Sequence, residues 1–292
     1  MANLRAIRKR ISSVKSTQQI TRAMKMVSAA KLRRAQEAIV AARPYARKIR
    51  EVALSVASRV DAGAHPLLAS REVKRLALLV ITSDRGLCGS FNAGLTRYVQ
   101  RYIVEQQAKY EEVFLFMVGR KGRDFFRRRG VPIHKEYLGV LGNIGRWHSE
   151  AISHELLYGF VNGDFDEVRI VYNEFRSAIS QVARTERLLP LALGTMEEGE
   201  DKNDASVEYL YEPDKKRLLA LLLPKYVEMD IFRVLLESVA GEHGARMTAM
   251  DSATNNSVEM ISRLTLQMNR ARQATITTEL TEIVSGAEAL KG

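Results

Sequence analysis

The sequence predicts an α/β fold in which two long terminal helices pair as an antiparallel coiled coil, with a doubly wound α/β domain between them in the chain. Apolar residues recur every three or four positions towards both ends, which indicates helices. Short strand-like and helix-like segments alternate in the middle, which indicates a mostly parallel sheet. We therefore assign residues 1–60 and 213–292 to the coiled-coil helices and residues 74–211 to the globular domain.

The first helix is predicted by one apolar stripe that continues for about 55 residues. Its positions are Leu4, Ile7, Ile11, Val14, Ile20, Met24, Val27, Ala30, Ala35, Ala38, Ala42, Ala46, Ile49, Ala53, Val56 and Val60. Pro44 is expected to bend this helix. One globular core cannot bury a helix of such length, so we expect a coiled coil. The polar stretch Lys15–Gln19 interrupts the stripe, which favours a pair wrapped by other proteins.

Basic residues are concentrated in the first 50 positions. The chain carries 45 Lys and Arg against 34 Asp and Glu, and residues 1–50 hold 14 of the basic side chains but a single acid, Glu37. Such an arm favours an acidic partner, which could be nucleic acid, an anionic membrane surface or an acidic protein face. A mitochondrial presequence is disfavoured because the helical pattern continues beyond the length of one.

The middle of the chain alternates between the two kinds of segment. Strands are predicted at Lys74–Thr82, Glu112–Val118, Val131–Leu138, Glu167–Tyr172, Gln181–Leu191 and Val207–Tyr211. Helices are predicted at Phe91–Lys109, Lys121–Arg129 and Arg146–Val161. This order favours a parallel sheet with helices on both faces, which is a Rossmann-like arrangement.

The loop after the first strand is rich in glycine, and it is the place where doubly wound folds bind phosphate. Residues 83–90 read SDRGLCGS, which contains neither a dinucleotide fingerprint nor a Walker pattern. We therefore interpret the glycines as those of a tight turn. The remaining candidates are equally weak, since the five histidines form no metal motif and Cys88 has no histidine near it in sequence. The sequence predicts no catalytic residue, cofactor or metal.

The second long helix is predicted from Lys225 to Leu290, a stretch of 66 residues without proline. Pro224 is expected to stop any continuation towards the N-terminus. Gly241 and Gly244 are expected to be soft positions, each costing about 1 kcal/mol against alanine. The segment Met247–Ser257 is small and polar, which fits either close approach of two helix backbones or recognition by another protein.

Five stretches of the chain, in the right order, resemble the ATP synthase gamma subunits, in their bacterial form. They are Leu4–Gln36, Thr82–Gly94, Tyr209–Asp214, Arg246–Asn256 and Asn269–Val284. The resemblance implies a central rotor shaft of the F-type ATP synthase, which couples ion flow through a membrane ring to ATP synthesis and hydrolysis. It implies no catalytic residues and no cofactor in this chain, because catalysis lies on the beta subunits.

The resemblance also implies the partners and the location of the chain. They are the alpha and beta subunits of the F1 hexamer, the epsilon subunit and the c subunits of the membrane rotor ring, with one copy of this chain per complex and no nucleic acid. The location is the cytoplasmic face of the bacterial plasma membrane, with the chain attached peripherally. The sequence starts at Met1 without a secretory h-region, which favours this location.

Individual residues take roles by matching the family motifs. Contacts with the lever and bearing of the beta subunit are implied for Met24, Lys25, Lys31, Arg33, Arg34, Arg246, Arg272, Gln273, Thr277, Glu279, Thr281 and Glu282. Contacts with the rotor ring and the epsilon subunit are implied for Tyr209, Tyr211 and Glu212. The family often has Ser or Ala at the positions of Gly241 and Gly244. Two glycines would make this part of the shaft more flexible.

The alternative reading is a basic coiled-coil scaffold or a nucleic-acid-binding protein. The isoelectric point of 9.8 and the basic arm favour it. The arm contains one aromatic residue, Tyr45, so it offers little for base stacking. Salt-dependent binding to DNA or RNA would distinguish the two readings.

Overall fold

The computed structural model describes residues 4–57, 65–69, 71–106, 109–191 and 215–289. Its helices are α1 (Leu4–Ala57), α2 (Phe91–Gln106), α3 (Arg120–Arg127), α4 (Arg146–Asn162) and α5 (Lys215–Ala289). Its strands are β1 (Arg75–Ile81), β2 (Glu112–Val118), β3 (Ile133–Tyr137), β4 (Glu167–Phe175) and β5 (Gln181–Leu189). Two compact units result, one from the described parts of 1–28 and 247–292 and one from 29–246. The predicted long helices at both ends and the α/β middle are confirmed.

The larger unit, residues 29–246, is built on a five-stranded sheet of order β3-β2-β1-β4-β5. The first four strands are parallel and β5 runs antiparallel to β4, so the predicted mostly parallel sheet is confirmed. β1 lies in the centre, and its residues from Leu76 to Ile81 are all buried. A central parallel strand is covered on both faces, which explains its uninterrupted apolar sequence. The predicted strand Val207–Tyr211 lies outside the described residues.

Alternate residues of β1 feed two separate cores, one on each face of the sheet. Ala77, Leu79 and Ile81 pack with apolar residues of α4, of the C-terminal part of α1 and of α5 from Leu219 to Leu235. Leu76, Leu78 and Val80 pack with residues of α2 and α3. The two terminal helices are therefore part of the α/β core itself.

α5 begins at Lys215 and continues through Pro224, so the expectation that Pro224 stops the helix is wrong. A proline inside a helix costs about 3 kcal/mol through a lost hydrogen bond and a clash with the preceding turn. Leu219, Leu223 and Val227 flank it and are fully or almost fully buried in the core. Burying three such side chains stabilises by roughly 5–9 kcal/mol, which exceeds that cost. α1 likewise continues through Pro44.

Gly241 and Gly244 are buried contact points rather than soft positions. A Cβ atom added at Gly241 would lie 3.1 Å from the ring of Phe91. One added at Gly244 would lie 3.1 Å from Ala178 Cα and 3.3 Å from the ring of Phe175. Since ordinary Cβ contacts are longer, glycine at these positions lets α5 approach β4 and the β4–β5 turn closely. Their role in this structure is packing.

The smaller unit contains the antiparallel helix pair formed by the beginning of α1 and the end of α5. The buried or half-buried positions of α1 here include a series with a seven-residue repeat, which is Leu4, Ile7, Ile11, Val14, Gln18, Thr21, Lys25 and Ser28. Those of α5 include Met247, Met250, Thr254, Ser257, Ile261, Leu264, Met268 and Ala271. Both sets are heptad repeats, so the predicted coiled coil is confirmed. The polar stretch at 15–19 keeps the repeat, because Gln18 occupies a seam position.

Candidate functional site

The loop between β1 and α2 is held by its own side chains and presents no phosphate cradle. Ser83 N donates to Asn92 Oδ1 at 2.9 Å, and Asn92 Nδ2 donates to Ser83 Oγ at 2.7 Å. Two amides near the start of α2 are occupied as well, since Phe91 N donates to Cys88 O and Gly94 N to Ser90 O. Burial raises the pKa of the Cys88 thiol, which disfavours the reactive thiolate.

Arg246 fastens α5 to this loop. Its guanidinium donates to Gly86 O at 3.1 and 3.3 Å and to Glu242 Oε1 at 2.6 Å. Arg246 is 7% and Glu242 5% exposed, so this is a buried ion pair. Burial raises the pKa of Glu242 against the opposing effect of Arg246. Burial, with the charges of Arg246 and Lys31, lowers the pKa of His243 to about 4, so this imidazole is neutral near pH 7.

The crevice where doubly wound folds bind ligands is occupied by α5. That crevice lies beyond the carboxyl ends of the strands where the strand order reverses, here between β1 and β4. Gly241 and Gly244 pack there against Phe91 and the segment from Asn173 to Ala178, while Arg246 reaches the loop after β1. Within the described residues, α5 therefore occupies the position at which folds of this kind usually bind a ligand.

Two polar pairs connect the helices of the smaller unit. Lys25 Nζ donates to Asp251 Oδ1 at 2.6 Å, with the two side chains 43% and 47% exposed. The hydroxyls of Thr21 and Thr254 lie 2.8 Å apart, one turn away. Met24, beside them, is half-buried. The charge of Lys25, a predicted partner contact, is thus compensated within this chain.

The other predicted contacts on α1 are exposed. Lys31 lies near enough to Glu242 and His243 to influence the pKa of each. Arg33 Nε donates to Glu37 Oε1 at 3.0 Å on the same helix. Arg34 forms no hydrogen bond or ion pair with any residue the structure describes. These three side chains form part of a cationic surface available to a partner.

The end of α5 has no packing partner among the described residues of the chain. Every residue from 276 to 289 is exposed, including the apolar Ile276, Leu280, Ile283 and Val284. The predicted contact residues here, which are Arg272, Gln273, Thr277, Glu279, Thr281 and Glu282, are all exposed too. The residues predicted to contact the rotor ring and the epsilon subunit lie outside the described residues; they are Tyr209, Tyr211 and Glu212.

The sequence analysis missed several residues that organise these regions. Asp251 and Thr254 lie inside a segment interpreted only as small and polar, and Asn92 was not considered. A strict seven-residue count from Ile7 reaches Thr21 and Ser28 and could have placed them in the seam. Glu242 precedes Arg246 by four residues, which is the helical spacing of an ion pair. No cluster of candidate metal ligands occurs in the described residues.

None of the helices in the described ranges has both the length and the apolar character of a bilayer-spanning helix.

Comparison with known proteins connects this architecture to one family. The ATP synthase family model matches residues 3–290. The chain is 54% identical over 295 residues to the ATP synthase gamma chain of Anaeromyxobacter sp. strain Fw109-5 and 51% identical over 295 residues to that of Trichlorobacter lovleyi, with 100% of each chain covered.

A solved structure agrees in fold and in sequence. The chain matches a protein in the central stalk and c-ring of the Tetrahymena thermophila mitochondrial ATP synthase with a TM-score of 0.61 and 27% identity, over 80% of this chain and 99% of that one. The chain belongs to the ATP synthase gamma chain family, the central-stalk rotor subunits of F-type ATP synthases.

Proposed function

We propose that this chain works as a shaft that carries torque between a membrane rotor ring and a hexamer of alpha and beta subunits. The observation that supports this most is the bare end of α5. Residues 276–289 continue the helix with Ile276, Leu280, Ile283 and Val284 exposed and without cover from the described chain. Such an apolar helix end is costly in water and suits a sleeve formed by other subunits.

A rotating shaft acts on its partners as a ligand whose contacts change with angle. Each orientation favours one conformation of the subunit it touches, and the shift equals the difference in interaction free energy between conformations. This mechanism needs stiffness and an asymmetric surface rather than catalytic groups. The crevice at the sheet, which is filled by α5, agrees with such a role.

The contacts that we propose follow the family motifs. Met24, Lys31, Arg33 and Arg34 would face an acidic lever of the beta subunit. The exposure and positive charge of Lys31, Arg33 and Arg34 suit such a contact, and Met24 is half-buried. The exposed residues of α5, which are Arg272, Gln273, Thr277, Glu279, Thr281 and Glu282, would face the bearing. Lys25 and Arg246 would act first within the chain, through Asp251 and Glu242.

The partners and the place of assembly form part of the proposal. Residues 74–211, which include Tyr209 and Tyr211, would contact the epsilon subunit and the c ring together with Glu212. Residues 1–60 and 213–292 would form the shaft. The complex would lie at the cytoplasmic face of a bacterial plasma membrane, with this chain attached peripherally as a single copy. Catalysis would lie on the beta subunits.

The test is a purification of the tagged chain from gently stripped membranes of its host, followed by protein identification and an ATPase assay. We expect recovery with two different nucleotide-binding subunits in equal amounts, each in excess over this chain, and with ATPase activity. Recovery of the chain alone, or with nucleic acid that high salt removes, would contradict the proposal and favour the scaffold reading.

A further inference from the structure

A wide groove in the larger unit lies between α1, the β4–β5 edge of the sheet and α5. Its volume is about 1110 Å³, which exceeds the usual range of small-molecule pockets. Seven basic and five acidic side chains line it. The basic side chains are Arg43, Arg47, Lys48, Arg50, Arg184, Arg187 and Arg233, and the acidic ones are Glu51, Glu174, Glu186, Asp230 and Glu237.

Every acid of the groove is already paired with a cation of the same chain. Arg233 contacts the carboxylates of Glu186 at 3.0 Å, Asp230 at 2.8 Å and Glu237 at 3.0 Å. Arg184 lies 2.9 Å from Glu174 and 3.0 Å from Glu186, and Lys48 lies 2.7 Å from Glu51. These ion pairs join β4, β5 and α5 and give the groove an ordered wall.

Four arginines remain after this pairing, of which Arg50 is half-buried and has an interaction of its own within the chain. Arg43, Arg47 and Arg187 are exposed, and none forms a hydrogen bond, an ion pair or a ring contact with a residue that the structure describes. Arg43 and Arg47 are four residues apart on α1, so they stand on one face about 6 Å apart along the helix. Arg187 belongs to β5, on the opposite side of the groove. The groove thus presents uncompensated positive charge from two walls.

We propose that this groove is a docking site for an acidic helical segment of another polypeptide. Carboxylates at positions i and i+4 of a helix repeat with the same spacing of about 6 Å as Arg43 and Arg47. Arg187 would receive a third carboxylate from the other side. Pro44 and Tyr226 add apolar surface to the lining, which suits the amphipathic face of a helix.

Other anions fit the groove less well. Its described lining contains no helix N-terminus and no run of backbone amides to hold a phosphate, and its size exceeds that of a single nucleotide site. Nucleic acid would need exposed aromatic side chains on which its bases could stack. The aromatic residues of the lining are Tyr226, which is half-buried, and Tyr172, which is buried. The inference rests on the groove alone and does not depend on the rotor function.

The test measures binding of a synthetic peptide to the full chain by fluorescence anisotropy at low salt. The probe is a helix-forming peptide of Ala and Lys with Glu at positions i, i+2 and i+4, since i+2 lies on the helix face opposite i and i+4. Its counterpart has Gln at those positions. The groove variant combines Arg43→Gln, Arg47→Gln and Arg187→Gln. The matched control combines Arg120→Gln, Arg128→Gln and Arg270→Gln, which are exposed and lie outside the groove.

We expect the groove variant to bind the Glu peptide about tenfold more weakly than the control, since each exposed ion pair is worth roughly a factor of two. The Gln peptide should bind both equally weakly. Circular dichroism would verify that both variants keep their helices.

Equal affinity of the two variants for the Glu peptide would overturn the proposal. So would tighter, groove-dependent binding of a short DNA duplex or of phosphatidylglycerol vesicles, because the occupant would then be a different macromolecule.

Discussion

Arg246 is a buried charged residue that forms an ion pair inside the protein. It binds both Glu242 and the loop carbonyl of Gly86, which lies 160 residues before Arg246 in the chain. Removing one partner of a buried pair leaves an uncompensated charge and costs about 3–5 kcal/mol. We expect Arg246→Gln to lower the free energy of unfolding by that amount in urea denaturation. The exposed Arg128→Gln is the control and should change it by less than about 0.5 kcal/mol. An unchanged stability of Arg246→Gln would show that the pair is not structural.

Lys25 and Asp251 allow a sharper test, because the pair can be reversed. Both side chains are nearly half exposed, so the pair contributes only about 0.2–1 kcal/mol to stability. We expect Lys25→Glu and Asp251→Lys to destabilise the helix pair singly and the double variant to restore it. Chemical denaturation of the four proteins measures the coupling.

The reversal also separates two roles of Lys25. If its charge serves only the helix pair, the double variant should pump protons per ATP hydrolysed as the parent complex does. Restored stability with impaired pumping would instead assign the charge of Lys25 to a partner subunit.

These residue partnerships could not be read from the sequence. The motifs matched Lys25 and Arg246 to a family, but Asp251 and Gly86 are 226 and 160 residues away from them. Only the fold brings such groups together. Glu242 alone had a local signal, its helical spacing to Arg246.

Among the elements, α5 depends on glycine where it crosses β4 and the β4–β5 turn. We expect Gly244→Val to destabilise the chain by about 1–3 kcal/mol, because the larger side chain would clash with Ala178 and Phe175. Gly94→Ala is the control, since no atom lies within 4 Å of its added Cβ in α2. It should stabilise by about 0.5–1 kcal/mol through helix propensity. Thermal unfolding of both variants tests this, and a stabilised Gly244→Val would refute the packing role.

The last turns of α5 should matter for assembly and not for folding. A chain that ends at Ile276 loses residues that are exposed throughout the described part of the segment, so its free energy of unfolding should stay within about 0.5 kcal/mol. Its recovery in the complex should fall, because the helix end would no longer reach its sleeve. Normal assembly and turnover of the truncated chain would argue against a role for these residues.

Element types were predictable because their signals are periodic. The seven-residue β2 was predicted with its observed bounds, and β1, α2 and α4 within a few residues. The effect of Pro224 was predicted wrongly because only the local cost of a proline in a helix was considered. The burial of Leu219, Leu223 and Val227, which offsets this cost, cannot be seen in the sequence. The glycines of α5 were misjudged for the same reason, since their neighbours are distant in the chain.

At the scale of the whole molecule, α1 and α5 each contribute residues to both compact units. The same two helices complete the core of the α/β sheet and form the heptad pair. Such continuity is what a shaft requires, because a continuous α-helix transmits force along its length. All of the excess positive charge of the chain comes from residues 1–50, where acidic partners would meet it.

The most direct measurement is rotation of a single assembled complex. The chain would be assembled with its alpha and beta subunits, the hexamer fixed to a surface, and a bead attached through Arg128→Cys, an exposed position of the larger unit. Cys88 is buried and its raised thiol pKa leaves it slow to label. The account predicts unidirectional rotation of the bead that starts with ATP and stops without it. Robust ATP hydrolysis with a bead that only fluctuates would contradict it.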